Sequence, residues 1–132
     1  MMPKASNANP ATAKLREAGI RLAFLNNFTL AMLDANIRSA GLEGFFEYKL
    51  STDTVGVYKP HPRSYQMGID AFGLEREKIL FAAFAGWDAA GVKLFGYPTF
   101  WVNRQNQPLE QLDAIPDGEG TGMNDLLNFL SH

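Results

Sequence analysis

The sequence predicts an α/β protein in which a mostly parallel sheet carries helices on both faces. Helical and strand-like segments alternate along the chain in the order α-β-α-β-α-β-α-β-α, which is the pattern of parallel sheets. Three segments, Leu22–Leu25, Ile79–Phe84 and Pro98–Val102, are the strong strand candidates. Leu22–Leu25 is a continuous apolar run, and such runs are typical of strands buried on both faces. The 132 residues are 46% hydrophobic and 20% charged, so one packed core is feasible.

The helices are predicted from apolar spacing and from the glycines that end them. Four of them are followed directly by a glycine, a residue that readily adopts the left-handed backbone found after a helix end. Thr29 is a candidate cap and Pro62 suits a first turn. The predicted helices cover residues 11–18, 29–40, 62–72 and 87–95, with a closing helix marked by Leu126, Leu127 and Leu130.

Two further segments complete the predicted organisation. Residues 48–52 form a weaker strand candidate, and residues 104–120, rich in Pro, Gln, Asp and Gly, are expected to be a surface connection. Residues 1–10 are small and polar with two prolines, which predicts a flexible N-terminal arm, and residues 11–132 are assigned to one domain.

Composition excludes several classes of function. The net charge is −2, without a basic stripe that could neutralise phosphates, so no nucleic-acid partner is expected. No apolar run approaches the roughly 20 residues that cross a bilayer, and no membrane partner is expected. The absence of cysteine rules out disulfides, thiolate metal sites and thiol catalysis. A cytoplasmic location is the simplest expectation.

Polar residues follow the predicted strands, at the sheet edge where open parallel sheets bind ligands. Asn26 and Asn27 follow the first strand, Lys59 follows the weak second strand, and Trp87 and Asp88 follow the third. Taken singly, each has an ordinary structural interpretation as a helix-entry turn, a solvated lysine or a helix-start carboxylate. Together, a lysine near a carboxylate would suit a pocket that binds or activates an anion.

The segments that carry these residues resemble successive motifs of the type II (L-2-haloacid) dehalogenases, within the haloacid-dehalogenase superfamily. The resemblance runs from about Leu15 to Arg104 with the same order and spacing. The matching segments are Leu22–Asn27, Val57–Tyr65, Ile79–Gly91 and Phe95–Arg104. It implies a Rossmann-like core and a hydrolase that displaces halide from small 2-halo carboxylic acids, with an aspartate as nucleophile and an ester intermediate.

The resemblance also implies roles for individual residues. Lys59 matches the lysine that neutralises and orients the nucleophile, and Asp88 matches the carboxylate that holds this lysine and positions the hydrolytic water. Tyr65 matches a tyrosine on the lysine side of the pocket. Asn27 and Trp87 match positions of the halide cradle. No cofactor is implied.

The chain departs from the family pattern at three side chains. Asn26 occupies the position of a Ser or Thr that hydrogen-bonds the nucleophile or the substrate carboxylate, and it is counted among the catalytic candidates. Ala83 and Ala85 occupy positions that are polar in the family, and alanine cannot orient a water or a carboxylate. These substitutions weaken the inference that this chain acts on a particular substrate of the family.

The family's opening strand, which ends in Asp-x-Tyr-Gly-Thr, and the helical cap after it have no match here; the first aspartate is Asp34, inside a predicted helix. We therefore expect a partial core whose isolated form shows little or no turnover. The alternative is a non-catalytic or split-enzyme fragment that acts through a homodimer or through a complementing N-terminal segment. The strands at Leu22–Leu25 and Ile79–Phe84 are expected to pair directly or across a dimer.

A third hypothesis is that the chain is a magnesium-dependent phosphatase of the same superfamily. Such enzymes place a further carboxylate in the motif that here reads Ala85-Gly86-Trp87-Asp88, because a hard cation wants several oxygen ligands. Only Asp88 is available there, and no metal site is predicted. His61, between two prolines, is expected to be an exposed turn residue, and the terminal His132 is not a catalytic candidate.

Overall fold

A computed structural model of the chain describes residues 12–109 and 114–131. The predicted arm at residues 1–10 lies outside the described residues. The chain divides into two compact units, Met1–Tyr58 and Lys59–His132, which are called unit 1 and unit 2 and are described separately.

Unit 1 contains a helix–strand–helix–strand sequence. Residues 12–17 are helical and form α1. The other elements are β1 (Ala23–Asn26), α2 (Leu30–Ser39), β2 (Tyr48–Ser51) and a 3-10 turn at Thr52–Thr54. β1 and β2 pair in parallel, with Ala23 opposite Tyr48 and Asn26 opposite Ser51. Parallel pairing of two strands that flank a helix is the βαβ arrangement that the alternating sequence predicts.

The core of unit 1 lies between α2 and its sheet. Leu33 and Ile37 are buried on α2 and form a cluster with Leu42, against which Phe24 and Phe46 pack. Thr29 caps the helix as predicted, since its hydroxyl accepts a hydrogen bond from the backbone N–H of Met32. The apolar Met32 of α2 takes no part in this core, because its side chain is exposed.

Unit 2 contains a three-stranded parallel sheet in the order β3-β4-β5. A short 3-10 turn lies at Arg76–Lys78. The elements are α3 (Pro62–Phe72), β3 (Phe81–Ala83), α4 (Gly86–Phe95), β4 (Thr99–Val102), β5 (Gly118–Gly120) and α5 (Met123–Leu130).

Every residue of β4 is buried, including the polar Thr99, as is expected of a strand covered on both faces. Phe100 and Val102 pack with Leu126 of α5, whereas the Trp101 ring lies against Gly86 at the start of α4. Because successive residues of a strand point to opposite faces, β4 is covered by α5 on one face and by α4 on the other. The predicted α/β class, with parallel strands and helices, is confirmed.

One expectation needs correction. Residues 104–120 contain a fifth strand, β5, where a surface connection was expected; its Gly-Glu-Gly sequence has no apolar alternation, and only pairing with β4 defines it. Pairing of the first and third strands, directly or across a dimer, stays a prediction. Within the described residues, no helix is long and apolar enough to cross a membrane.

Candidate active site

The candidate site of unit 2 begins where β3 ends. Ala85 has extended backbone angles and α4 starts at the next residue, Gly86. Asp88 therefore lies in the first helical turn, and its backbone N–H donates to the Ala85 carbonyl at 3.1 Å. The positive end of a helix favours a carboxylate at this position. A helix separated from the end of β3 by two residues thus places an acid at the carboxyl edge of the sheet.

Lys59 and Asp88 form a buried ion pair. The Lys59 ammonium donates to Oδ2 of Asp88 at 2.8 Å, and the two side chains are only 9% and 8% exposed. Three other ion pairs among the described residues have side chains at least 32% exposed. Two charges withdrawn this far from water lose hydration energy and are retained only with close, well-directed partners.

Tyr65 provides the second partner of Asp88. Its hydroxyl donates to Oδ1 of the carboxylate at 2.8 Å, so the two carboxylate oxygens are held by different donors. Tyr65 is fully buried on α3, and the Tyr97 hydroxyl donates to the Tyr65 backbone carbonyl. Lys59, Tyr65 and Asp88 are called the lysine cluster below.

Aromatic rings surround the ammonium end of the lysine cluster. The Lys59 Nζ lies 5.7 Å from the centroid of Phe81 and 5.8 Å from that of Trp87, distances at which a ring face attracts a cation. Phe81 and Tyr65 meet edge to face, with centroids 5.7 Å apart. Trp87 is 53% exposed, so its ring combines contact with the cluster and access to solvent.

The electrostatics keep Tyr65 as a hydrogen-bond donor. Burial, the negative charge of Asp88 and the hydrogen bond to that carboxylate together raise the pKa of Tyr65 well above its usual value. Burial chiefly raises the pKa of Tyr97 to about 12. Both phenols therefore keep their protons throughout the neutral range, and Tyr65 stays a hydrogen-bond donor to Asp88.

The predicted site residues of unit 1 lie at the carboxyl end of its own sheet. Asn26 is the last residue of β1, and Asn27 follows it. The Thr52 hydroxyl donates to the side-chain oxygen of Asn27 at 3.0 Å, while the Ser51 hydroxyl donates to the Phe28 carbonyl. Thr52 and Ser51 are buried. Thr52 was not among the predicted site residues, because its contact with Asn27 spans 25 positions of sequence.

The structure thus brings three of the predicted residues into direct contact and locates the others. Lys59 and Tyr65 each contact Asp88, and the Trp87 ring lies beside the Lys59 ammonium. Their roles in a reaction stay predictions, as do those of Asn26 and Asn27. Of the departures from the family pattern, Ala83 ends β3 and is buried, Ala85 precedes α4 without a capping side chain, and Asn26 lies in unit 1.

The histidine and metal expectations are addressed by contacts in the described residues. His61 is exposed and also caps α3, since its Nδ1 accepts from the backbone N–H of Arg63 at 3.1 Å. His132 lies outside the described residues. Among residues 12–109 and 114–131, no group of three or more His, Asp or Glu side chains is placed to hold a metal ion.

Comparison with known proteins places the chain in a family. A family model for haloacid dehalogenase-like hydrolases matches residues 5–96. Haloacetate dehalogenase H-2 of Moraxella sp. (strain B) is 41% identical over 107 residues, which is 81% of this chain and 48% of that protein. The (S)-2-haloacid dehalogenase of Pseudomonas sp. (strain YL) is 41% identical over 110 residues, or 83% of this chain and 47% of that protein.

Solved structures agree with these matches. A crystal structure of an L-2-haloacid dehalogenase superposes with a TM-score of 0.92 at 40% identity, and covers 99% of this chain and 56% of that one. The chain spans about half the length of the curated relatives it matches. Because the family model matches well over half of its 132 residues, the protein belongs to the haloacid dehalogenase-like hydrolases.

Proposed function

We propose that this chain contributes the lysine-bearing half of an active site that removes halide hydrolytically from small 2-halo carboxylic acids. One observation carries the proposal: a lysine and an aspartate, paired at 2.8 Å and nearly buried, stand at the carboxyl edge of a parallel sheet. The family supplies the reaction class, and relatives named as haloacetate and (S)-2-haloacid dehalogenases supply the substrate class.

The chemistry of the lysine cluster suits this reaction. Displacement of halide by a carboxylate starts from two anions, the nucleophile and the substrate carboxylate, which repel each other. A fixed ammonium lowers that repulsion, and it does so strongly where water is excluded. Asp88 keeps Lys59 in place, and Tyr65 keeps Asp88 in place. In the second step, a carboxylate so held is suited to orient the water that hydrolyses the ester.

The attacking carboxylate is proposed to come from a polypeptide segment other than these 132 residues. In unit 2, Asp70 pairs with Gln66, Asp117 with Lys93 and Asp125 with Thr121, so these three carboxylates have their own partners. The segment would correspond to the half of the relatives that this chain does not match. It would belong to the same polypeptide or to a partner chain. For Asn26 and Asn27, roles beside substrate and halide rest on the resemblance alone.

A chimera tests the proposal. The unmatched half of the Pseudomonas sp. (strain YL) enzyme, joined ahead of this chain, should release halide from 2-chloropropionate and chloroacetate. Replacement of Lys59 by alanine should lower that rate by about 10²–10³-fold, because the fixed cation is lost. Lys78→Ala, at an exposed lysine of the same unit, should leave the rate unchanged.

The 132-residue chain alone should release halide only at the rate of buffer. Halide release by the chain alone that Lys59→Ala abolishes would show that the nucleophile lies within these residues. A folded chimera that releases no halide, or whose rate is indifferent to Lys59→Ala, would remove the basis for a dehalogenase.

A further inference from the structure

Two glycines stand inside the neighbouring helices of unit 2, where glycine is less favourable than alanine. Gly68 lies in the middle of α3 and Gly91 in the middle of α4, and these helices pack together. Each glycine faces the hydroxyl of a buried tyrosine. A costly residue at two such positions calls for a reason in the packing.

The space beside Gly91 is filled by Tyr65 of the lysine cluster and by Pro60, the neighbour of Lys59. A Cβ at this position would stand 2.6 Å from the Tyr65 hydroxyl oxygen and 3.0 Å from Cβ of Pro60. The first distance is shorter than any real contact of a Cβ, so Tyr65 would have to shift. Tyr65 gives its hydrogen bond to Asp88, and Pro60 is bonded directly to Lys59.

The space beside Gly68 belongs to a different tyrosine. A Cβ there would stand 2.7 Å from the Tyr97 hydroxyl oxygen, and that hydroxyl donates to the backbone carbonyl of Tyr65. Each glycine thus leaves a space, called a notch below, that receives a tyrosine hydroxyl, and the two notches are reciprocal. Gly91 of α4 admits the hydroxyl of Tyr65 from α3, and Gly68 of α3 admits the hydroxyl of Tyr97, which follows α4.

We propose that Gly91 is a positioning residue for the lysine cluster. Asp88 and Gly91 are three residues apart on α4 and so share one face of the helix. The missing side chain at Gly91 lets the Tyr65 hydroxyl reach Asp88 and lets Pro60 bring Lys59 to the same carboxylate. This deepens the proposed function, because it identifies what sets the geometry of the ion pair.

The competing explanation is that both glycines only let the helices approach. That explanation predicts the same effect from removal of either tyrosine hydroxyl. The notch explanation predicts that removal of one hydroxyl reduces the cost of alanine at one glycine only. Thermal unfolding of the 132-residue chain carrying paired substitutions separates the two, with Gly68 and Tyr97 as the matched control pair.

Gly91→Ala should lower the melting temperature by about 5–10 °C, an overpacking effect whose sign opposes helix propensity. In a Tyr65→Phe background the same substitution should cost less than half as much, with the remainder from Pro60. Tyr97→Phe should relieve Gly68→Ala and leave the cost of Gly91→Ala unchanged. Equal costs of Gly91→Ala with and without the Tyr65 hydroxyl, or relief of both glycines by either phenylalanine, would overturn the proposal.

A folding failure of Gly91→Ala keeps the test decisive. A folded Gly91→Ala/Tyr65→Phe double variant would then support the notch, and an unfolded one would contradict it. In NMR spectra, the Tyr65 hydroxyl proton, held on a buried carboxylate, should give a slowly exchanging downfield signal. Gly91→Ala should remove that signal from the folded protein and Gly68→Ala/Tyr97→Phe should keep it; the opposite result would refute the assignment.

These measurements do not depend on turnover. If the chimera is inactive but Tyr65→Phe reduces the loss of melting temperature caused by Gly91→Ala, the positioning role of Gly91 stands and only the proposed reaction is removed. An active chimera with unrelieved glycine substitutions would do the reverse.

Discussion

At the scale of single residues, the buried charges of Lys59 and Asp88 each depend on the other for their stability. Attraction between the two charges offsets the hydration that both lose on burial, and the Tyr65 hydroxyl adds a second donor to Asp88. Removal of one partner leaves the other charge in a place with little water. Replacement of one residue of the pair should therefore lower the free energy of unfolding more than replacement of both residues.

Lys59→Met should lower the free energy of unfolding by about 3–5 kcal/mol, because the Asp88 carboxylate keeps its burial and loses its cation. Addition of Asp88→Asn to that variant should restore a substantial part, since no lone charge remains. Urea unfolding measures both changes. The control is Lys49→Met, which breaks an exposed pair with Asp34 and should cost at most about 1 kcal/mol. Equal costs at Lys59 and Lys49 would contradict this account.

The residues of the lysine cluster could be found from sequence, but not the residues that shape it. Lys59 and Asp88 follow strands, where parallel sheets gather polar groups, and they match motif positions. Gly91 and Thr52 have no comparable signal. Their importance comes from the atoms opposite them, Tyr65 and Asn27, which lie 26 and 25 positions away in sequence.

At the scale of elements, local chemistry fixed most boundaries. Thr29 precedes α2 as its N-cap, and its hydroxyl accepts a hydrogen bond from an N–H that has no partner within the helix. Gly73 and Gly96, both with positive φ, directly follow α3 and α4. Such ends depend on neighbours within four residues, which is why the sequence alone predicts them well.

Thr29→Ala should lower the free energy of unfolding by about 1 kcal/mol, because the N–H of Met32 loses its acceptor. Thr29→Ser keeps the hydroxyl and should retain most of the stability. The comparison is made by urea unfolding of the two variants and the parent chain. A loss in the serine variant as large as that in the alanine variant would show that the hydrogen bond is not the source.

β5 shows where prediction by element fails. Gly118–Gly120 contains no apolar residue, and its strand character arises from pairing with Phe100, Trp101 and Val102 of β4. Asp117 holds its start in place. The Asp117 carboxylate accepts from the backbone N–H of Thr99 and from the Lys93 ammonium. A strand defined by its partner has no pattern of its own to recognise.

At the scale of the whole molecule, that same carboxylate couples stability to pH. Partial burial raises the pKa of Asp117, but the hydrogen bonds from Lys93 and from the Thr99 backbone outweigh it and lower the pKa below the ordinary value of 3.8. The stabilisation is therefore complete above pH 3.8 and is lost as pH falls through the lower value of the folded state.

Asp117→Asn should flatten the acid limb of the stability profile. Between about pH 5 and pH 2 the parent chain should lose more melting temperature than the variant, because only the parent has this carboxylate to protonate. Glu77→Gln, at an exposed acid, should leave the profile of the parent unchanged. Parallel acid limbs for the parent and Asp117→Asn would exclude the coupling.

The class of the molecule was predictable because alternation of helix and strand is repeated along the chain. The arrangement of the strands was not. Periodicity reports which segments are buried, whereas partner choice depends on contacts between segments that are far apart in sequence. β1 pairs with β2 and β3 pairs with β4, and no local pattern in the sequence specifies these partners.

The location of Asp88 in the first turn of α4 makes the charge arrangement directional. An exchange of the two residues would set an ammonium against the positive pole of that helix and deprive the phenol of Tyr65 of its acceptor. The scaffold thus admits one polarity. The first turn of α4 favours the carboxylate at position 88, and the ammonium of the pair comes from a residue outside that helix.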